Sequence, residues 1–288
     1  MRATDKNPIF AEIGIVGFGV IGGSLGLAIK RRWPSTRVVA VDTTDVVRTA
    51  LEMGAADEGG ESVSAASSAS LVVLAAPVRA NLAILQQLPH AVSGPALITD
   101  VGSTKAATLA AAAALPKHFQ FIGGHPLAGA ALGGVREARA ELFQERPWLL
   151  TPNGSAGPDA LSSLRQLVEG VGARPIEISA AEHDRLVAYL SHLPQLTVTA
   201  LMHVVGRSVE EQGLALAGLG LRDTTRLASS PADIWRDIVS TNTAQVSEAL
   251  DALIEVLTCL KRQAAHPEEP FDEIFSSAAQ WKQKLDGQ

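Results

Sequence analysis

The run GIVGFGVIGGSLG, residues 14–26, constrains the fold of this chain more than any other stretch. Gly17, Gly19 and Gly22 stand in G-x-G-x-x-G spacing, with Phe18, Val20 and Ile21 between them. The strand-like run EIGIVG (12–17) precedes them and a helical pattern follows. In that setting the first glycine makes a tight turn, the second lets backbone approach a pyrophosphate, and the third lets helix and strand pack closely. The helix N-terminus then offers free N–H groups and a positive dipole to phosphates. The next apolar run, RVVAVD (37–42), ends in Asp42, 25 residues after Gly17. A carboxylate there accepts both ribose hydroxyls of NAD and repels the 2′-phosphate of NADP. Thr43 and Thr44 follow, with no immediate arginine to hold that phosphate. NAD is therefore the expected cofactor; the plainer reading of the glycines is a turn that only packs a helix on a sheet.

The pattern around this motif extends it to a domain. Strands are expected at 12–17, 37–42, 70–76, 96–102, 119–124, 147–152 and 174–179, each β-branched or leucine-rich and bounded by Gly, Pro, Ser or Asp. The early ones are apolar throughout, as strands covered on both faces should be. Helical patterns such as 24–33 and 105–115 lie between them, and alternating β and α gives a doubly wound sheet. Beyond residue ~180 no strand is evident. The expected fold is an α/β N-terminal Rossmann-type dinucleotide-binding domain (1–179) followed by an all-α C-terminal domain (180–288). In the second part, 181–205 reads as helix and another helical region opens near Leu219. SSPADIW then starts a helix, with Ser230 as N-cap, Pro231 at the first position and Asp233 in the first turn. From Trp235 to Leu260 apolar residues recur at 4,3 spacing, broken only by Asn242. That seam fits a core helix, or one that packs partly on a second subunit.

Composition narrows the function classes. A net charge of −6 with no basic cluster argues against nucleic acid. The polar start MRATDKNPIF lacks a secretory apolar core, and the run LTVTALMHVVG is too short and interrupted to span a bilayer. The single cysteine, Cys259, forms no internal disulfide and reads as a small buried apolar residue. A cytoplasmic location is expected, without a membrane partner and without a metal site. Ala76 and Pro77, in AAPVRA at the end of the strand expected over 70–76, border the crevice where ligands bind and are expected near the nicotinamide.

Four further stretches follow the glycine motif in order: TDVGSTK (99–105), GGHPLAGA (123–130), EHDRLVAYLSHLPQ (182–195) and GLRDTTRLASSPADIWRDI (220–238). As a set they resemble the prephenate/arogenate dehydrogenase family of tyrosine biosynthesis, over nearly the whole chain. The resemblance implies oxidative decarboxylation of a cyclohexadienol: prephenate to 4-hydroxyphenylpyruvate, or arogenate to tyrosine. Such chemistry needs an acceptor for the ring hydroxyl proton near the nicotinamide, and cations for an anionic substrate. By resemblance His125 bonds the substrate hydroxyl and Ser103 assists there, although Ser103 or Thr104 also suits an N-cap for the helix near Lys105. Lys105 itself either steers anions or is a solvated first-turn charge. Arg226 is matched to the family arginine that binds carboxylate, a task the guanidinium fork suits. Arg222, Asp223 and Arg226, at i, i+1 and i+4, can share a helix face, with Asp223 orienting or gating the arginine. His192 and Gln195 match positions near the substrate, His192 having a core-histidine alternative. His183 and Asp184 are expected to hold the domain junction. Trp235 and Arg236 can face the cleft, with core packing favoured for Trp235.

The chain departs from the family pattern twice. Many members carry Thr-Glu after HPxAG, where this chain has Ala130 and Ala131, so the acid that pairs with an active-site arginine is missing. Many also read SHLPH, where this chain has Gln195. Both differences bear on which substrate is preferred rather than on the reaction. The resemblance also implies a homodimer through the helical domain; from the sequence, no chorismate mutase segment is expected before the motif and no regulatory domain after the helices. A different two-domain NAD(P) enzyme of the β-hydroxyacid type, or a dinucleotide-binding regulator without catalysis, are the competing readings.

Overall fold

The computed structural model describes residues 7–129, 133–266 and 272–287. Eight strands form one sheet: β1 (Glu12–Val16), β2 (Arg37–Val41), β3 (Glu58–Gly60), β4 (Leu71–Leu74), β5 (Ala96–Asp100), β6 (Phe119–Pro126), β7 (Pro147–Pro152) and β8 (Arg174–Glu177). Their order is β3-β2-β1-β4-β5-β6-β7-β8. Strands β1 to β6 run parallel; β7 pairs antiparallel with β6, and β8 runs parallel to β7. Interleaved with them are α1 (Val20–Arg32), α2 (Thr44–Glu52), α3 (Val78–Ala91), α4 (Ala106–Ala112) and α5 (Pro158–Gly170). All seven expected strands are present; the short β3, of sequence EGG, carries no apolar pattern to mark it.

Period-two alternation explains the packing of the central strands. Val38, Ala40, Leu71 and Val73 point into one apolar layer with Leu25, Ile29, Leu164 and Leu167 of α1 and α5. Val39, Val41, Val72 and Leu74 point into a second layer with Leu85 and Leu88 of α3. Both faces are covered, so the strands read as unbroken apolar runs. The strand order reverses between β1 and β4, which opens a crevice at their carboxyl ends, the usual ligand position in such sheets.

Helices follow the sheet: α6 (Ala180–Val187), a π-helical turn (Ala188–His192), α7 (Leu193–Leu214), α8 (Leu219–Thr224), α9 (Ala232–Thr241), α10 (Thr243–Ala265) and α11 (Asp272–Asp286). No strand occurs here among the described residues. The helix expected over 181–205 continues to Leu214, with a kink at Glu210, whose φ is +54°. The expected single seam from Trp235 to Leu260 is two helices. Asn242 leaves helical geometry (φ −138°, ψ 35°) and its side chain donates to the carbonyl of Asp184 at 2.9 Å. Ser230 does not cap α9 through its side chain; its hydroxyl bonds the Leu227 carbonyl and Gln195 Oε1 instead, and Pro231 stands at the cap. Cys259 is half-exposed rather than buried. Contacts divide the chain into two compact units, Met1–Asn242 and Thr243–Gln288; α6 to α9 belong to the first and α10 and α11 form the second. Among the described residues no helix is long and apolar enough to cross a membrane.

Candidate active site

The dinucleotide loop is built by backbone constraints. Gly17 has φ +91°, and a Cβ there would lie 2.4 Å from the amide nitrogen of Ala76, on the neighbouring strand's exit. A Cβ on Gly22 would lie 2.1 Å from the Gly17 carbonyl oxygen. Gly19 differs: a Cβ there would meet nothing within 4 Å, so its face is open to an approaching group. Gly19 is the N-cap of α1, with no side chain capping the helix and no acid in its first turn. The exposed N–H groups and the dipole therefore suit a pyrophosphate.

Two cavities flank this loop. One, of about 500 Å³, is lined by Gly17, Asp42, Thr43, Glu61 and Ala76 among others. Asp42 lies at the end of β2, where its Oδ2 accepts the Phe18 N–H and its Oδ1 the Thr43 N–H, each at 2.7 Å. Each carboxylate oxygen has a second lone pair, so this anchoring leaves acceptors for ribose hydroxyls. The other cavity, of about 250 Å³, is lined by Gly19, Val20, Ile21, Ala76, Pro77 and Ser103, with Ile234, Asp237 and Ile238 of α9 closing it. The donor set, the open Gly19 and the pair of cavities fit a dinucleotide laid across the switch point.

Ser103 is half-buried in the loop after β5 and faces this second cavity. It does not cap α4, and neither does Thr104, whose hydroxyl bonds that of Thr241 at 2.8 Å. The cap comes from a distant residue. Asp184 of α6 accepts the N–H of Lys105 at 2.8 Å and of Ala106 at 2.9 Å. Lys105 is not a solvated charge either: its side chain is fully buried, paired with Asp100, and its Nζ donates to the Gly124 carbonyl at 2.6 Å. Burial lowers the Lys105 pKa, against the pull of Asp100 and Asp184. Asp100 also accepts the N–H groups of Gly102 (3.0 Å) and Gly124 (3.1 Å), which ties β5 to β6 just before His125.

His125 lies within β6, not past its end, with Leu149 of β7 as register partner. Its Nδ1 sits 2.9 Å from Nε2 of His183, and Nδ1 of His183 sits 2.8 Å from Asp184 Oδ1. Nε2 of His125 is bonded to no described residue. Burial first, then the neighbouring His183, Lys105 and His192, hold the His125 pKa well below the ordinary histidine value. Burial raises the Asp184 pKa, but the bonds from His183, Ala106 and Lys105 outweigh it and leave the carboxyl below its usual range. His192 is buried at the end of the π turn, 3.5 Å from the Asn242 amide and edge-on to Trp235 at 6.0 Å. Burial pushes its pKa down to about 4. His183 and Asp184 thus belong to the site, where the sequence suggested a junction; the only signal available was their adjacency in EHD.

The expected substrate-binding residues separate into two groups. Arg222 and Asp223 are exposed on α8, but α8 ends at Thr224, so Arg226 stands in the following turn rather than on the same helix. Arg226 is exposed and makes no hydrogen bond or ion pair with a described residue. Gln195 is buried, and its amide is engaged within the chain: Nε2 donates to Thr199 Oγ1 (3.1 Å) and the Leu227 carbonyl (2.8 Å), and Oε1 accepts from Ser230 (3.1 Å). It therefore ties α7 to the turn that carries Arg226. Ala130 and Ala131, where relatives differ, lie outside the described residues.

Comparison with known proteins agrees with this geometry. Residues 25–177 match the family model described as prephenate dehydrogenase, nucleotide-binding domain, and residues 179–276 match prephenate dehydrogenase, dimerization domain. A prephenate dehydrogenase of Bacillus subtilis is 37% identical over 83% of this chain and 66% of its own length. The chain spans just under two thirds of the length of the first curated relatives it matches, 66% and 65%. Among solved structures, prephenate dehydrogenase from A. aeolicus in complex with hydroxyphenyl propionate and NAD+ superposes with a TM-score of 0.87 at 28% identity, covering 95% of this chain and 98% of that one. Synechocystis arogenate dehydrogenase superposes with a TM-score of 0.80 at 29% identity, covering 96% and 99%.

Proposed function

The chain belongs to the prephenate dehydrogenase family, and from that premise we propose that it catalyses the NAD-dependent oxidative decarboxylation of prephenate to 4-hydroxyphenylpyruvate. The observation that carries the reading is His125 with Nδ1 facing His183 and Nε2 bonded to no described residue, directly after Gly124, which shares the Asp100 carboxylate with Gly102 of the cavity wall. The relatives whose names specify prephenate, and the A. aeolicus complex with NAD+, support the choice of substrate and cofactor.

NAD, when bound, accepts the hydride from the ring carbon that bears the hydroxyl. His125 Nε2 takes the hydroxyl proton as that carbon becomes carbonyl-like. The bond from the ring to its carboxylate then breaks, the carboxylate leaves as CO2, its electron pair enters the ring, and His125 returns the proton to the oxygen. Atoms and charge balance without a further co-reactant. Ser103 lines the same cavity as Pro77 and assists at the hydroxyl. Arg226, exposed and without a described partner, binds a substrate carboxylate, with Arg222 and Asp223 on the adjoining helix. Gln195 and His192 contribute from beneath, by holding the turn and the cluster rather than at the surface. Asp42 selects NAD by accepting ribose hydroxyls. The helical part beyond residue 179 carries the substrate arginine and the homodimer contact, in keeping with the dimerization model matched there. We place the enzyme in the cytoplasm, with no nucleic-acid or membrane partner.

Arogenate is the second reading, supported by the likeness to Synechocystis arogenate dehydrogenase. The test is NAD reduction by the purified protein with prephenate, arogenate and a panel of hydroxyacids. Turnover with prephenate above that with arogenate is expected. Turnover with hydroxyacids alone, or with none of the panel despite tight NAD binding, would refute the proposal.

A further inference from the structure

We infer that His183 and Asp184 act as positioning residues that fix the tautomer of His125 and leave Nε2 as its bare acceptor. The inference rests on the proposed role of His125 and extends it to two residues that touch neither substrate nor cofactor in that reading. The argument is directional. Asp184 accepts two backbone N–H groups from Lys105 and Ala106, so it is held as an ionised carboxylate that only accepts. The nitrogen of His183 that faces it, Nδ1 at 2.8 Å, must therefore carry a proton. In a neutral imidazole the other nitrogen, Nε2, is then an acceptor. It faces His125 Nδ1 at 2.9 Å, so that nitrogen carries the proton of His125. What remains on His125 is an unprotonated Nε2.

The chain of bonds also answers the charge that develops in the reaction. When Nε2 takes the hydroxyl proton, His125 becomes an imidazolium whose Nδ1–H still donates to His183. The carboxylate of Asp184 stabilises that charge through the intervening ring, without a second proton transfer. The other ionisable groups around His125 are Lys105 between β5 and α4, Asp100 on β5, which pairs with Lys105, and His192 on the π turn. Lys105 and Asp100 offset each other, so Asp184 is the acid in line with the ring. Its location is fixed independently of the histidines, because it caps α4 and its own carbonyl is bonded by Asn242 at 2.9 Å.

Two readouts test this, one of them independent of turnover. In 15N spectra of the full-length protein, His125 should show a protonated Nδ1 and a bare Nε2. His183→Phe keeps the ring but removes the acceptor; it should mix the His125 tautomers and lower kcat by about a hundredfold, with KM for NAD unchanged. His183→Gln, whose amide oxygen can accept from Nδ1–H, should recover most of that loss. Asp184→Asn should lower kcat and move the acid limb of kcat/KM to lower pH, because the charge that favours the imidazolium is gone. A wild-type spectrum with Nε2 protonated would overturn the inference, as would equal kcat for His183→Phe and His183→Gln. His125→Asn separates the two claims. If it abolishes turnover while His183→Phe matches wild type, the relay fails alone. If it retains turnover while the wild-type spectrum shows Nδ1–H, the relay stands and the base assignment fails.

Discussion

The dinucleotide loop and the histidine cluster lie on the same sheet but are specified in opposite ways. In the loop, three glycines within six residues set the backbone, and the backbone does the binding. In the cluster, Asp100, Lys105, His125, His183, Asp184, His192 and Asn242 come from β5, the start of α4, β6, α6, the π turn and the end of α9, and side chains make the contacts. The loop tolerates change where its Cβ space is open. The cluster is largely buried and joined by side-chain bonds, while Nε2 of His125 is bonded to no described residue. A local motif therefore marks the cofactor crevice, whereas the histidine cluster depends on contacts up to 79 residues apart, as between Lys105 and Asp184.

Substitutions can break this contrast. The largest stability loss is expected for Lys105→Met, which leaves the buried Asp100 carboxylate without its cation and should cost about 3–5 kcal/mol in denaturant unfolding. A loss under about 1 kcal/mol would mean that the cluster is no more demanding than a surface pair. Next comes acid sensitivity. The His192 pKa is depressed on folding, so its contribution is complete above about 6.5 and is lost as pH falls toward about 4. That is up to about 3 kcal/mol, and His192→Gln should unfold less steeply over this window than wild type, each referred to its own stability at neutral pH. Arg226→Ala should raise KM for the substrate by about tenfold to a hundredfold with little change in Tm, since no described partner is lost. The smallest effect falls on the loop: Gly19→Ala should leave Tm unchanged, because its Cβ has open space, and weaken NAD by about tenfold. A fall in Tm there would show that the loop, too, relies on packing.

The same contrast explains what could be read from the sequence. Strand positions were legible because Val38 to Val41 and Leu71 to Leu74 are apolar on both faces, a local pattern. The turn at Gly17 and the close packing at Gly22 were legible because their spacing is short and their tasks are backbone tasks; Asp42 was legible from its place at the end of the second strand. The cap of α4 was not: Ser103 and Thr104 stand where a local cap would, but Asp184, 78 residues beyond Ala106, takes the position. Lys105 read either as an anion-steering residue or as a solvated charge because nothing next to it in sequence shows that Asp100 and the Gly124 carbonyl enclose it. The helix break at Asn242 was visible as one polar residue in an apolar seam, but its cause, a bond to the Asp184 carbonyl, is long-range. His125 and Arg226 were singled out through family resemblance, not through any local physical pattern.

The most direct test of the central claim is His125→Asn, assayed for NAD-dependent turnover of prephenate beside NAD affinity measured separately. If the loop binds and the cluster performs proton transfer, kcat should fall by about 10²–10⁴ while NAD affinity stays within about twofold of wild type. Equal loss of both, or turnover close to wild type, would contradict it.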